Sequence, residues 1–294
     1  MRAVLLLVLA LFCSGIQAAD IVLKDDSGAT VKLPTPARRI VSLAPHITEN
    51  LFAAGAGDRV VGTVDYSDYP EAAKKIARVG GYSRIDLEAV AALQPDLIIA
   101  WESGNAPGHV AKLKGLGIPV FISQPNHIED VAGQLEKFGQ LAGSGEVANG
   151  AAARFRSRLA ALQKQYSGRP RVSTFYQIWK QPLMSVGKHQ IISDAISLCG
   201  GDNVFGQVEQ LAPKVSEEAV LAANPEAIVA SGMDNARPEW LDDWKRWKQI
   251  TAVARDNLFF VPPELIQRHT PRLLEGAARL CEHLETARRR RPAK

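Results

Sequence analysis

The sequence lacks the motifs of the common enzyme classes. It has no G-x-S-x-G nucleophile elbow and no P-loop, and Gly55-Ala56-Gly57 lacks the third glycine of a dinucleotide fingerprint. Its six histidines are spread along the chain, and no two of them have H-x-x-x-H spacing. These absences leave no recognisable catalytic set, so a secreted α/β hydrolase is only a remote alternative. A transition-metal site assembled from distant residues stays open.

Long apolar runs are also scarce, and the one that stands out lies at the N-terminus. Ala3–Phe12 is an unbroken run of ten apolar residues behind Arg2, and Ala18 is a small residue suited to cleavage. Because a membrane span needs about 20 such residues, the run predicts a cleaved signal peptide over residues 1–18 and a secreted mature chain. Cys13 follows the bulky Phe12, whereas a lipid-modified cysteine usually follows a small residue. No later segment is apolar enough to cross a membrane.

Cysteine is rare. The chain has three cysteines, and two of them, Cys199 and Cys281, follow the predicted signal peptide. Disulfides persist in oxidising compartments, where an even number of cysteines is typical of pairing. We therefore expect a Cys199–Cys281 disulfide. The alternative is a pair of buried free thiols.

The body of the chain has little net charge. The formal charge of +4 includes Arg2 and five basic residues in the C-terminal tail that begins at residue 288. Without these six, 29 basic residues face 31 acidic ones, so the chain lacks the basic surface of a nucleic-acid-binding protein. The run Arg288–Arg291 is interpreted as a solvated tail, with a weak membrane-surface contact as the alternative.

What the sequence does contain is a fifteen-residue repeat. DLEAVAALQPDLIIA at 86–100 returns as SEEAVLAANPEAIVA at 216–230, each copy with a helix cap, a short helix, a proline and an apolar strand. Such self-similarity predicts two lobes built to one plan. Both copies carry a glutamate in the first helical turn, Glu88 and Glu218, which suggests a partner that contacts both lobes. Alternatively, these acids only stabilise the helix dipole, by about 0.3–1 kcal/mol when exposed.

Apolar strands alternate with amphipathic helices on both sides of one long helical segment, which predicts an α/β fold: two similar parallel-sheet lobes bridged by a single long helix. The expected strands are 40–45, 59–65, 97–101, 119–123, 171–178, the end of the second repeat copy and 258–263. The expected helices follow Thr48 and cover 106–116, 128–141, 146–166, 189–198 and 270–285. The expected divisions are a signal peptide at 1–18, an N-terminal lobe at 19–143, a linking helix at 144–167, a C-terminal lobe at 168–287 and a basic tail at 288–294.

Aromatic residues make up only 6% of the chain, and several of them follow predicted strands. Tyr66 and Tyr69 lie in DYSDYP, Tyr82 follows two glycines, and Trp101 closes the strand of the first repeat copy. Open α/β sheets bind ligands at the carboxyl ends of their strands, where aromatic rings can stack on a flat, partly apolar ligand. These residues therefore predict a binding site. The alternative is that they only cover the ends of the sheet.

With these residues in view, the mature sequence resembles the cobalamin-binding members of the periplasmic binding protein family. The resemblance rests on SLAPHITENLFAAGA, YSDYP, DLEAVAALQPDLIIAW with GN soon after, VGKHQIISDAISLCGGDNVF, SEEAVLAANPEAIVASG and TPRLLEGAARLC. SLAP recurs throughout the siderophore, haem and cobalamin group. The combination of YSDYP, AW..GN and both cysteines is more specific than SLAP, and it favours the cobalamin-binding members of this group.

The resemblance implies two rigid lobes bridged by a helix, with a corrinoid in the cleft between them and no catalytic role, cofactor or metal of its own. The implied ligand-binding residues are Tyr66, Tyr82, Trp101, Glu264, Leu265, Ile266, Gln267 and Arg268. It also implies the Cys199–Cys281 disulfide. We further expect a monomer that delivers its cargo to the permease of an ABC importer, with Glu88 and Glu218 meeting arginines of that permease.

Two departures from the family pattern bear on the cargo. The pattern has an aromatic-rich D-W-F-E-R loop where this chain has Glu264–Arg268, and a tryptophan at the position of Ala212. Both departures predict that the wall of the cleft on the C-terminal lobe has less side-chain surface than in the family pattern. A related corrinoid as cargo would be consistent with that. Haem bound through a tyrosine, or a ferric siderophore held by Arg84 and Arg268, is the alternative cargo.

Overall fold

Strands and helices alternate along the part of the chain that the computed structural model describes, residues 20–232 and 235–292, so the predicted signal peptide lies outside it. The strands are β1 Ile21–Lys24, β2 Thr30–Leu33, β3 Ile40–Ser42, β4 Val60–Thr63, β5 Ala77–Arg78, β6 Leu97–Trp101, β7 Val120–Ser123, β8 Val172–Gln177, β9 Gly201–Asn203, β10 Ala227–Ala230 and β11 Leu258–Phe260. The helices are α1 Pro45–Ala53, α2 Leu87–Ala92, α3 Pro107–Gly115, α4 Asp130–Ala142, α5 Gly145–Tyr166, α6 Ile191–Leu198, α7 Glu217–Ala223, α8 Thr251–Ala254, α9 Pro263–Ile266 and α10 Leu273–Arg289. Short 3-10 helices cover Gly57–Arg59, Glu71–Lys75 and Glu239–Arg246. None of the described helices is both long and apolar enough to cross a membrane.

Strands β3 to β11 form two parallel sheets. The order is β5-β4-β3-β6-β7 in the first sheet and β9-β8-β10-β11 in the second, while β1 and β2 pair as a separate antiparallel hairpin. The side chains of β6 and β7 are almost all buried, which is typical of parallel sheets covered on both faces by helices. The α/β class predicted from the sequence is confirmed.

Each sheet changes its direction of winding beside its first strand. From β3 the chain moves outwards to β4 and β5 and then crosses to β6 and β7, and from β8 it moves to β9 before crossing to β10 and β11. Such a switch opens a crevice at the carboxyl ends of the strands, because the loops on either side diverge. These two crevices form the walls of the site described below.

Helix α1 begins earlier than the sequence pattern predicted. Its first residue is Pro45, which suits the start of a helix because the N–H that proline lacks would be unpaired there anyway. Thr48 is buried inside the helix, with its hydroxyl 2.8 Å from that of Ser42 and 2.7 Å from that of Thr63. The predicted start after Thr48 is therefore wrong, and the earlier start puts His46 in the first turn.

Helix α5 links the two sheets along the chain, and we call the part before it the N-lobe and the part after it the C-lobe. Its 22 residues span about 33 Å. Gly139 lets α4 approach α5 closely, since a Cβ there would lie 2.2 Å from the Cβ of Ala148. One apolar core continues from the N-lobe sheet through α5 to the C-lobe sheet. The lobe boundaries at residues 143 and 168 stay a prediction.

A disulfide joins two helices of the C-lobe. Cys199 at the end of α6 and Cys281 within α10 are bonded, with an S–S distance of 2.03 Å, and both are fully buried. The predicted pairing is therefore present. In the chain-entropy model, closing a loop of this length contributes about 4.5 kcal/mol.

The basic run at the C-terminus is folded against the C-lobe. The Arg288 side chain is almost buried, and its guanidinium donates to the carbonyls of Pro170 and Cys199, each at 2.7 Å. Arg291 pairs with the Glu226 carboxylate at 2.6 Å. The interpretation of this run as a solvated tail is wrong for Arg288 and Arg291, which backbone carbonyls and a carboxylate of the C-lobe hold, whereas Arg289 and Arg290 are exposed.

Candidate functional site

A cavity of about 810 Å³, which we call the cleft, lies between the lobes. Its N-lobe wall is formed by Pro45, His46, Tyr66, Asp68, Tyr82 and Trp101. Its C-lobe wall is formed by Ile178, Trp179, Pro182, Met184, Gly232, Asn235, Pro263, Glu264, Gln267 and Arg268. Most of these residues lie at, or a few positions beyond, the carboxyl end of a strand, so the crevices of the two sheets face each other.

The three aromatic residues predicted to bind a ligand share the N-lobe wall. Tyr66 and Tyr82 are 65% and 40% exposed, and the ring centroid of Tyr82 lies 5.9 Å from that of Trp101. Tyr66 has a φ of 63°, in the left-handed region that a non-glycine residue rarely adopts. Exposed rings at neighbouring strand ends offer a surface for stacking. This exposure favours a binding surface over a cover for the sheet.

Asn105 connects the segments that carry these aromatic residues. Its Oδ1 accepts a hydrogen bond from the backbone N–H of Trp101 at 2.7 Å, and its Nδ2 donates to the carbonyls of Leu43 at 2.9 Å and Tyr82 at 2.7 Å. Gly104 leaves room for the Trp101 ring, since a Cβ there would lie 1.8 Å from a ring atom. The sequence marked these two residues only as part of a motif, and the structure explains why that motif accompanies the tryptophan.

Two buried histidines from opposite lobes meet beside Trp101. The ring centroid of His46 lies 5.1 Å from that of Trp101 and 5.1 Å from that of His269. Burial lowers the pKa of His46 well below its ordinary value and lowers the pKa of His269 to about 4, so both imidazoles are neutral at pH 7. Among the described residues, no group of three or more His, Cys, Asp or Glu is placed to hold a metal ion. The histidine pair was missed because only the tertiary fold brings its members together.

The predicted ligand loop Glu264–Arg268 is divided between the cleft and the core. Glu264, Gln267 and Arg268 line the cleft, whereas Leu265 and Ile266 are buried. The segment comprises the last three residues of α9 and the two residues after it, and a helical turn points successive side chains in different directions. The prediction that the whole segment faces the ligand is therefore wrong for Leu265 and Ile266.

Arginines of the C-lobe reach acids of the N-lobe beside the cleft. Arg268 donates to the Asp68 carboxylate at 2.6 Å, and although burial opposes ionisation, this hydrogen bond keeps the pKa of Asp68 below its ordinary value. Arg272 holds Glu49 of α1 through two hydrogen bonds of 2.7 and 2.8 Å. The side chain of Glu49 is only 3% exposed. Ion pairs, as well as α5, therefore join the lobes.

The chain also matches known proteins. A sequence model of the family described as periplasmic binding protein matches residues 40–265. The chain belongs to this family. This binding protein is 39% identical over 259 residues to the vitamin B12-binding protein of Vibrio campbellii, covering 87% of this chain and 92% of that one.

Solved structures share the fold of this binding protein. The periplasmic vitamin B12-binding protein of Vibrio cholerae superposes with a TM-score of 0.80 at 36% identity, over 86% of this chain and 98% of that one. The periplasmic haem-binding protein of Roseiflexus sp. RS-1 has a TM-score of 0.74 at 21% identity, over 85% and 99%. The second likeness shows the fold alone.

The C-lobe wall of the binding protein carries an aromatic residue that the sequence reasoning missed. Trp179 lies just beyond β8, lines the cleft and is 39% exposed. The signal that identified Trp101, an aromatic residue at the end of a predicted strand, applies to it as well. Ala212, where the family pattern has tryptophan, is exposed and does not line the cleft. Trp179 supplies an aromatic surface on this wall, whereas the predicted loss of side-chain surface relative to the family pattern stays a prediction.

The two predicted docking acids occupy matched places on the lobes of the binding protein. Glu88 and Glu218 lie in the first turns of α2 and α7, and both are exposed. Within the described chain neither forms an ion pair, whereas the neighbouring Glu217 pairs with Arg246. Hydrogen bonds from its own backbone and from Ser216 lower the pKa of Glu218, as expected for an acid at a helix start.

Proposed function

We propose that this binding protein captures cobalamin, or a closely related corrinoid, in the cleft and delivers it to an ABC importer. The observation that carries the proposal is 39% identity, over 87% of the chain, to a protein named for vitamin B12 binding. The family membership supports a role in substrate binding, and we propose that no catalytic step is involved. Binding alone requires only that the cleft desolvate and hold its cargo.

The chemistry of the cleft suits such a ligand. A corrinoid is a broad ring with an apolar body and a fringe of amide groups. Tyr66, Tyr82 and Trp101 offer aromatic surface for the ring, while Asn235 and Gln267 offer groups that can donate to and accept from amides. The neutral histidines beside Trp101 add no charge next to this apolar surface.

Delivery to a permease follows from the proposed binding role. The protein would work in the periplasm, after removal of residues 1–18, as a monomer that carries one cargo molecule. We propose that Glu88 and Glu218 meet arginines of the permease, one acid from each lobe. Their matched positions on α2 and α7 and their exposure support this, because a contact of this kind needs a carboxylate that is accessible on each lobe.

Calorimetric titration with cyanocobalamin tests the binding proposal. The purified mature protein is expected to bind close to one molecule per chain, and the ligand should raise the melting temperature, because it binds only the folded state. Absence of both binding heat and thermal protection would refute the proposal.

Haem is the second candidate cargo, because Tyr66 and Tyr82 present exposed phenols that could ligate ferric iron. The absorbance of the protein as purified separates the two, since a Soret band differs from a corrinoid spectrum. A ferric siderophore is supported less well. Arg268 is already paired with Asp68, and Arg84 does not line the cleft.

A further inference from the structure

We propose that Trp179 is the residue on which the cargo stacks at the C-lobe side of the cleft. A corrinoid would then be held between this indole and the aromatic residues of the N-lobe. The inference rests on the proposed function, and it adds a specificity-determining residue that the sequence analysis did not identify.

Trp179 is not part of the hydrophobic core. Of the five tryptophans in the chain, four pack within or against an apolar cluster: Trp101, Trp240, Trp244 and Trp247. Trp179 packs against none of the apolar clusters that the described residues form. It borders the cleft and also an adjoining C-lobe cavity of about 690 Å³. Folding thus leaves much of the indole in water, and a bound ligand is what would cover it.

Although exposed, Trp179 is held in place by hydrogen bonds. Its Nε1 donates to the carbonyl of Gln181 at 2.8 Å. Its own carbonyl accepts from the backbone N–H of Met184 at 3.2 Å and from the side-chain amide of Gln177 at 3.3 Å. A large aromatic side chain that is already ordered loses little entropy on binding, which is one reason why tryptophan dominates many binding sites.

Trp179 lies on the wall opposite the N-lobe aromatic residues. It is the one aromatic side chain among the described residues of the C-lobe wall, whereas the N-lobe wall has Tyr66, Tyr82 and Trp101. Its apolar neighbours, such as Pro182 and Met184, lack a flat π face. A macrocycle that fills the cleft therefore meets aromatic rings on both sides only through this residue.

The test compares Trp179→Ala and Trp179→Phe with the wild-type protein. Calorimetric titration with cyanocobalamin should show affinity weaker by about tenfold or more for Trp179→Ala and within about threefold of wild type for Trp179→Phe. Trp247→Ala is the matched control, because it removes an indole of the same lobe that lines neither the cleft nor the adjoining cavity, and its affinity should match the wild type. Melting followed by circular dichroism should give wild-type values for both Trp179 variants, since the indole supports no core.

Dicyanocobinamide, which lacks the nucleotide, identifies the part of the cargo that Trp179 contacts. Weaker binding of both ligands by Trp179→Ala supports stacking on the corrin ring, and weaker binding of cyanocobalamin alone supports stacking on the nucleotide base. Unchanged affinity for both ligands would overturn the inference and leave the proposed function intact. If the wild-type protein binds no cyanocobalamin, the proposed function is refuted and the inference with it.

Discussion

Among single residues, Asn105 differs from the aromatic side chains that it supports. It is 4% exposed, and its three hydrogen bonds connect the end of β6, the chain after β3 and the Tyr82 loop. Without it, one N–H and two carbonyls of those segments lose their partner, at a cost of about 1–3 kcal/mol for each buried group left unsatisfied. Asn105 is thus a positioning residue for Trp101 and Tyr82.

We predict that Asn105→Ala weakens cyanocobalamin binding by about tenfold or more, because Trp101 and Tyr82 lose their common anchor. The control is Asn203→Ala, which removes comparable hydrogen bonds in the C-lobe, to Val186, Ser193 and Phe205. Both variants should unfold at lower urea concentration, but only Asn105→Ala should lose affinity in calorimetry. A similar affinity for the two variants would mean that Asn105 has a structural role only.

The aromatic residues that the sequence placed just beyond strand ends do line the cleft, because their signal is local. Tyr66, Tyr82 and Trp101 could be predicted to line a cleft because an aromatic residue just beyond a strand is visible in the sequence itself. Leu265 and Ile266 were misassigned because the rotation of one short helical turn decides which side chains face the cleft. No local pattern could pair His46 with His269.

At the level of elements, the start of α10 and the middle of α1 form a nearly buried ion pair between the lobes. Arg272 and Glu49 are 15% and 3% exposed, and the Arg272 guanidinium also lies 3.8 Å from the centroid of the Tyr69 ring. A buried ion pair contributes little net stability compared with apolar residues. Removal of one partner is nevertheless strongly destabilising, because it leaves the other charge buried and unpaired. This contact, together with α5, predicts that the lobes close only modestly.

We predict that Arg272→Ala lowers the free energy of unfolding by about 3–5 kcal/mol, because Glu49 would keep only Arg268, 4.0 Å away, as a partner. Arg156→Ala provides the comparison, since Arg156 also pairs with a glutamate, Glu136, but is half exposed. Its expected cost is below about 1 kcal/mol. Urea unfolding measures both values. An equal loss of unfolding free energy in the two variants would show that water reaches the Arg272–Glu49 pair. The double variant Arg272→Met with Glu49→Gln should recover part of the stability that Arg272→Ala loses.

Strands and helices with a clear apolar pattern could be predicted from the sequence, whereas several short elements without such a pattern could not. Runs such as Leu97–Trp101 are apolar throughout, so their burial is visible in the residues. Strands β5 and β9 have two and three residues, and only pairing with β4 and β8 defines them. The start of α1 was misplaced because Thr48 resembles a helix cap, whereas Pro45 actually begins the helix.

Across the whole molecule, the lobes are similar in scaffold and different in the surface they turn to the cleft. The repeated phrase gives β6 and β10, which hold corresponding places in the two sheets. The first copy is followed by Trp101, whereas the second is followed by Ser231 and Gly232. The aromatic residue of the C-lobe wall comes instead from the segment after β8, as Trp179. The matched positions are the exposed acids, Glu88 and Glu218.

We predict that Glu88→Lys combined with Glu218→Lys abolishes uptake and leaves cyanocobalamin affinity within about twofold of wild type, because both acids lie outside the cleft. Glu146→Lys with Glu239→Lys is the matched control, since these exposed acids also stand in first helical turns. Uptake of labelled cobalamin, with the cognate permease present, should persist in the control. If the first pair transports normally, the acids only stabilise their helices. If uptake and affinity fall together, misfolding explains the loss. Only loss of uptake with retained affinity supports a contact that spans both lobes.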